Sequence, residues 1–376
     1  MALPHSRRSL LKGGIAAGAG VLLPVTAGTL LPATAHADSP FDFIIDCDSW
    51  GARPPASTLV MNTRRTRKIV IHHMAFPNVT DYSRDAAVAL AKKCQNLHMD
   101  NNGWADTGQH FTISRGGYVL EGRHRSLEGL TSGEQQVTSA HCVGQNTQSI
   151  GIENEGTYIT ETPPEALLGS LVKLSSTICT QYGIHAHNMF GHWDWNNTQC
   201  PGIAFYRLFP ELRRQVAVAI GTTLSQVPDR VWPDSYTSCA GATVVVAKYL
   251  LRNQGYTTLN TSAAFDATLL AAIQDWQAKH GLEVASDGTM TDPTWESLAV
   301  DVDKHAVGEH VAGLQFILKN KGYAVAVTGE YDWATKMAVK EMQVLHGLDD
   351  NGKVDTDTWC AVVGGIVKAE FASVLV

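Results

Sequence analysis

The chain has 376 residues, 44% of them hydrophobic and 17% charged, which allows two or three domains with a sizeable core and argues against a large disordered region. The formal charge of −7 offers nothing to a nucleic acid. Beyond the N-terminal leader no stretch approaches the roughly 20 consecutive apolar residues a membrane span needs.

The leader itself is distinctive. Ser6 to Lys12 (SRRSLLK) precedes an apolar Gly/Ala-rich run that ends at Ala35-His36-Ala37, a small-x-small cleavage pattern, so residues 1–37 are expected to be a signal peptide. The pair Arg7-Arg8 followed by Leu10 and Leu11 resembles a twin-arginine signal, which implies export of an already folded, secreted protein without a membrane anchor. Pro24 and Pro32 interrupt the apolar run and argue against an anchor. Removing 1–37 takes three basic residues from 29 and none of the 36 acids, leaving a mature charge of −10.

Asp48 to Pro55 (DSWGARPP) opens the first domain with a tryptophan and a Pro-rich loop. In KIVIHH, Lys68 to His73, alternation puts Val70 and His72 on one face and Ile69, Ile71 and His73 on the other. Residues 84–99 place Val88, Ala91, Cys94, Gln95, Leu97 and His98 at helical spacing. HFTISRGGYVLEGR, from His110, reads as two strands about a Gly-Gly turn, and SIGIENEG, from Ser149, as a strand that ends at Gly156. Leu167, Leu168, Leu171, Leu174 and Ile178 line one face of a helix that Thr162 is expected to cap and Gly183 to stop, with Glu165 in its first turn. FYRLFPELRRQVAVAI, from Phe205, supplies a last helix. Strands interleaved with helices predict an α/β fold, a mixed central sheet flanked by helices, over residues 44–218. Residues 219–237, aperiodic and holding Pro228 and Pro233, are expected to be a linker.

Beyond it the chain repeats itself. AKYLLRNQGY (247–256) answers LQFILKNKGY (314–323), AAIQDWQAKHGL (271–282) answers MAVKEMQVLHGL (337–348), and SDGTMTDPTW (286–295) answers DNGKVDTDTW (350–359). Two small three-helix modules, 238–302 and 306–367, are expected, with Trp276, Trp295 and Trp359 in their cores.

The chemistry concentrates in GHWDWNNTQCPG, Gly191 to Gly202. His192 and Cys200 are imidazole and thiolate ligands in a Gly/Pro-bounded loop, and the strand bearing His72 is the best source of a third ligand. Three protein ligands with an open fourth position is the stoichiometry of a catalytic rather than a structural zinc. Asp194 is expected to brace this loop, and Trp104 and Asp106 are read as structural.

IVIHHMA, GWADTGQHFTIS, SIGIENEG and GHWDWNNTQCPG, in that order, resemble the zinc-dependent N-acetylmuramoyl-L-alanine amidase family that includes the peptidoglycan recognition proteins and T7-type lysozyme. WGARP resembles the segment before that family's first strand, and the two repeats resemble the peptidoglycan-binding domain type 1. The resemblance implies a zinc held by His72, His192 and Cys200, and Thr198 as a hydrogen-bond donor to the polarised carbonyl. Gln109 stands where recognition-protein amidases carry a tyrosine; it cannot titrate and at most orients water or substrate. Glu153 then falls at the place of the catalytic glutamate of other bacterial branches, with Glu155 as its rival. His141 and Asn146 match a segment on the substrate groove. The implied partner is bacterial peptidoglycan, bound by a monomer. With Cys200 taken as a ligand, six cysteines remain; Cys94–Cys142, Cys47–Cys179 and Cys239–Cys360 are the expected disulfides among fifteen possible pairings.

Overall fold

Strand β1 (Ile44–Ile45), β2 (Lys68–His73), β3 (Phe111–Ile113), β4 (Val119–Glu121), β5 (Ser149–Asn154) and β6 (Met189–Gly191) form one sheet in the order β1-β4-β3-β5-β2-β6. The computed structural model that shows this describes residues 39–376, so the signal-peptide reading of 1–37 lies outside the described residues. All neighbouring pairs are parallel except β3–β4, the predicted hairpin, whose turn is closed by Gly117 N–H donating to Ser114 O. The sheet is therefore mixed, as expected. Parallel central strands are covered on both faces, which is why Ile69, Val70, Ile71, Ile150 and Ile152 are all fully buried.

The longer helices are α1 (Arg84–Asn96), α2 (Ser126–Ser132), α3 (Glu165–Tyr182) and α4 (Phe209–Ala219). Ser83 Oγ caps α1 by accepting from Ala86 N–H. The helix widens into a π-helical turn over Leu97–Asn101, and Leu97 is 38% exposed instead of joining the core. In α3 the predicted face is right: Leu167, Leu171, Leu174 and Ile178 are buried, and Gly183 ends the helix at φ 66°. Its start is a correction, since Pro164 and not Thr162 holds the cap position. A residue preceding proline avoids helical dihedrals, so Pro163 is kept out of the helix, which begins at Glu165, two residues later than a Thr162 cap implies.

The repeats are built as the sequence repeats. Helices α5 (Ala242–Asn253), α6 (Ala267–Lys279) and α7 (Asp292–Leu298) form the first; α8 (Glu309–Asn320), α9 (Trp333–Leu345) and α10 (Thr356–Val362) form the second. Asp266 and Asp332 cap corresponding helices through Leu269 N–H and Thr335 N–H. Gln277 and Gln343 each donate to a backbone carbonyl and a threonine hydroxyl, of Thr289 and Thr294 in one repeat and of Lys353 and Thr358 in the other. Trp295 and Trp359 are fully buried and each donates its indole N–H to the carbonyl of the segment entering its repeat, Pro233 or Val300. The first repeat departs from the pattern at Lys248, where the second has Gln315. The buried ammonium of Lys248 is surrounded by Asn260, Ser262, Ala264 and Asp266, and so pins that loop without the glycine turn of its counterpart.

Residues 40–376 make one compact unit. The aperiodic segment after α4 is strapped down: Arg230–Val231 pairs antiparallel with Ile366–Val367, Trp232 stacks on Trp295 at 5.7 Å, and Asp234 pairs with Lys68. Arg213 on α4 reaches Glu370 at 3.1 Å, with both side chains buried, and His346 Nδ1 lies 2.9 Å from the same carboxylate. Burial pushes the Glu370 carboxyl up, but Arg213 and His346 outweigh it and hold it below its usual range.

The expected disulfides are a further correction. All seven cysteines are free and buried. The Cys47 thiol faces the carbonyls of Glu121 and Gly122 within a small cluster around Trp50, whereas Cys179 belongs to the main core. Cys94 faces Gln109 and Cys142 faces Asn196, while Cys239 and Cys360 face backbone carbonyls of Asp234 and Val231. Among the described residues no helix is long and apolar enough to cross a membrane.

Glu370→Gln strands a buried guanidinium, so it is expected to cost about 3–5 kcal/mol in denaturant unfolding at neutral pH. Because the folded carboxyl titrates below its unfolded value, Glu370 stabilises fully above about pH 4.3 and loses this as pH falls through the lower folded value. The gap between wild type and variant should therefore narrow in acid.

Candidate metal centre and catalytic cleft

Three parallel strands aim their C-terminal ends at one edge of the sheet. β2 ends in His72-His73, β5 carries Glu153 directly opposite His72 in register, and β6 hands the chain to His192 one residue after its end. The loop from His192 returns Cys200 to the same place, closed by Trp193 N–H donating to Cys200 O at 3.0 Å. Gly202 sits at φ 89°, and a Cβ there would lie 2.3 Å from Tyr158 O, so the turn behind the cysteine requires glycine. Together His72, His73, Glu153, Thr157, Thr198 and Cys200 wall much of a cleft of about 570 Å³.

One ligand atom each of His72, His192 and Cys200 lies within 4.8 Å of the others, a group able to hold a metal ion. The hydrogen bonds behind them fix which nitrogens are offered. Ser149 Oγ donates to Gln145 O at 2.9 Å, so at 3.3 Å it accepts from His141 Nε2–H. His141 Nδ1 is then an acceptor, and His72 Nε2–H donates to it at 2.9 Å. The lone pair of His72 is left on Nδ1, 3.6 Å from Cys200 Sγ. On the other side Asn196 Oδ1 accepts from Val143 N–H at 3.1 Å and from His192 Nε2–H at 3.0 Å, again leaving Nδ1 free. Burial, then the neighbouring histidines, lowers His72 well below its usual pKa, and burial lowers His192 to about 4. Both imidazoles are thus neutral at neutral pH, each with a lone pair to offer a metal. Burial, then the charge of Glu153, pushes the Cys200 thiol well up, a cost that a bound cation removes.

Glu153 Oε1 is 3.9 Å from His72 Nδ1, and its buried Oε2 has no hydrogen-bond partner. Burial pushes its carboxyl up to about 8. Glu155 is differently placed. It accepts from Arg115 N–H at 2.7 Å and lines a separate cavity with Phe76, Asp81 and Lys93. Thr198 lies in the cleft, its Oγ1 accepting from Cys200 N–H at 3.1 Å.

Three expected substrate contacts are corrected. His141 is buried behind His72; it fits there because Gly151 on β5 has no side chain, and a Cβ at 151 would come within 2.4 Å of the ring. Asn146 turns inward, its Oδ1 accepting from the backbone of His141 and Cys142 at 2.9 Å. Gln109 is buried and donates to Thr112 Oγ1 at 2.9 Å. His73, expected on the opposite face, reaches the cleft wall and accepts from Tyr158 N–H through Nδ1 at 3.2 Å.

Asp194 braces the loop, accepting from Gly191 N–H and Tyr206 OH at 2.8 Å each. Two supports have no sequence signal. Asn196 looks like one more polar loop residue, and Lys321 belongs to the second repeat, 115 positions beyond the Tyr206 hydroxyl it reaches at 3.3 Å. The ammonium of Lys321 lies 4.3 Å from the Tyr206 ring centroid and 5.9 Å from that of Trp193. The first repeat contributes too, with Ala240 N–H donating to Trp195 O at 2.8 Å.

Residues 62–203 match the N-acetylmuramoyl-L-alanine amidase family, and residues 240–298 and 307–362 each match the peptidoglycan binding domain. The chain belongs to the family of N-acetylmuramoyl-L-alanine amidases and peptidoglycan-recognition proteins, with two peptidoglycan-binding repeats appended. It is 31% identical over 160 residues to peptidoglycan-recognition protein SC2 of Drosophila simulans, covering 42% of this chain and 80% of that protein. With the N-acetylmuramoyl-L-alanine amidase of Sus scrofa it shares 28% over 163 residues, 42% of this chain and 25% of that protein. The solved structure of Drosophila PGRP-LB aligns with a TM-score of 0.38 and 27% identity over 43% of this chain and 89% of that one.

Gly151→Ala tests the support behind His72. The added methyl must displace the His141 ring, and a loss of about 1–3 kcal/mol in thermal or denaturant unfolding is expected.

Proposed function

We propose that this chain is an exported zinc amidase that hydrolyses the bond between the lactyl carboxyl of N-acetylmuramic acid and L-alanine in peptidoglycan. The observation that carries the reading is the convergence of two neutral imidazoles and a thiol beside the Glu153 carboxyl, whose buried Oε2 has no hydrogen-bond partner, in an open cleft. Two nitrogens and one sulfur are a donor set that suits zinc and leaves a position for water or substrate. His72, His192 and Cys200 would hold a zinc ion, which would supply Lewis acidity and a bound water acidic enough to react at neutral pH.

The remaining work falls to the chain. Glu153, its proton affinity set near neutrality by burial, takes a proton from the attacking water and returns it to the alanine nitrogen as the carbon–nitrogen bond breaks. Water ends on the lactyl carbonyl carbon, and the alanine leaves as an amine. Thr198 Oγ1 already accepts from Cys200 N–H, so its own proton is free to donate to the carbonyl oxygen as charge develops there. His141 and Asn196 act through the ligands by holding each imidazole in one tautomer. Arg7-Arg8 and the Ala35-His36-Ala37 pattern support export in the folded state, and the two repeats support retention on the wall.

Digestion of purified peptidoglycan by the mature protein, with end-group analysis, tests the reading. New N-terminal alanine, no new reducing ends and loss of activity with a chelator are expected. Glu153→Gln should retain the metal and lower kcat by about 10²–10⁴. Binding without any new amine would leave a recognition protein, and new amines other than alanine would indicate a peptidase of the stem.

A further inference from the structure

The two repeats spend the same surface differently. In each, the first helix ends in Gly-Tyr and the second in His-Gly, and these two turns lie at one end of the module. In the second repeat this end is covered by the catalytic domain and the C-terminal segment. A Cβ on Gly322 would come within 2.2 Å of Ile203, and one on Gly347 within 2.5 Å of Ala369 O. The Arg207 guanidinium lies 4.6 Å from the Tyr323 ring centroid and pairs with Glu341, while His346 is held by Glu370. In the first repeat the corresponding glycines, Gly255 and Gly281, meet nothing within 4 Å. What remains there is a cavity of about 200 Å³ lined by Gln254, Gly255, Tyr256, Trp276, Lys279 and His280.

The lining is aromatic with a polar rim. His280 stacks on Trp276 with ring centroids 3.6 Å apart, and Tyr256 meets the same indole edge-on at 6.4 Å. Asp275 accepts from Tyr256 OH and Lys279 Nζ, both at 2.6 Å. His280 Nδ1–H is spent on Trp276 O at 2.8 Å, which leaves Nε2 as an outward acceptor. The second repeat has Met342 and Leu345 at the places of Trp276 and Lys279, so the aromatic stack and the ion pair belong to the open copy alone.

We infer that this end of the first repeat, around Tyr256, Trp276 and His280, is a saccharide site that takes an amino-sugar ring of the glycan strand. Ring faces pack against the C–H face of a pyranose, and the rim offers donors and acceptors to its hydroxyl and acetamido groups. The acid and base of the rim cancel each other, so there is no net positive charge to favour the anionic stem peptide. The cavity is below the roughly 300–1,000 Å³ typical of sites for larger ligands, which suits a single ring. Glycan held here is gripped by a module that is hydrogen-bonded to the loop of His192 and Cys200 through Ala240 and Trp195, so wall binding and cleavage take place within one compact unit.

The inference rests on peptidoglycan being the target, and its test is independent of catalysis. Full-length mature protein is co-sedimented with glycan strands stripped of peptide and, separately, titrated with isolated stem peptides. Tyr256→Ala and His280→Ala are expected to weaken retention on stripped glycan about tenfold, and Lys279→Ala, which lies outside the core, several-fold. Hydrolysis of a short soluble muropeptide should be unchanged in all three. Undiminished glycan retention in Tyr256→Ala and Lys279→Ala, or a loss confined to stem peptides, would overturn it. Wild-type retention on glycan with no alanine released would remove the enzyme reading and leave this one standing.

Discussion

Two imidazoles and a thiol converge here without charge, and each is costly to bury unless its remaining polar atoms are satisfied. The structure meets this requirement from behind the cleft. His141 and Ser149 take one proton of His72 inward, and Asn196 takes that of His192, so the unshared pairs are left facing each other and Cys200. Gly151 follows from the same requirement, because without its missing side chain the His141 ring has no place. The strands supply direction and the second row supplies tautomer. Neither alone makes a ligand set.

The same logic extends into the repeats. The loop carrying His192 and Cys200 hangs from a buried Asp194, whose carboxyl burial pushes up and which Lys321 of the second repeat stabilises more than Arg213 does. Burial lowers Lys321 itself to about 8, and Asp194 partly restores it. Arg213, Glu370 and His346 lock the C-terminal segment onto the helix beneath β6. A wall-binding arm on a loose tether needs none of this. The repeats form part of the wall against which the metal loop is built, which explains why residues 40–376 are one compact unit.

Much of this was legible in the sequence, for identifiable reasons. Alternation in KIVIHH put its two histidines on opposite faces and the family resemblance chose His72, while the spacing of His192 and Cys200 in a Gly/Pro-bounded loop singled out the other two. The repeats were legible because AKYLLRNQGY, AAIQDWQAKHGL and SDGTMTDPTW each have a counterpart in the same order in the second copy. What escaped were relations that leave no local pattern. Lys321 reads as an ordinary lysine before a glycine, and His141 reads as a groove residue until the glycine opposite it is placed. Cysteine pairing depends on distance, which composition does not carry, and all seven thiols are free and buried. The cap of α3 lies two residues beyond Thr162, at Pro164.

The central claim is that His72, His192 and Cys200 are the protein ligands of one zinc. X-ray absorption on full-length protein loaded with one equivalent of zinc addresses it directly. The account predicts one sulfur at about 2.3 Å and two imidazole nitrogens at about 2.0–2.1 Å, with the sulfur shell lost in Cys200→Ala. A shell of nitrogen and oxygen only, or no stoichiometric zinc retained, would contradict it.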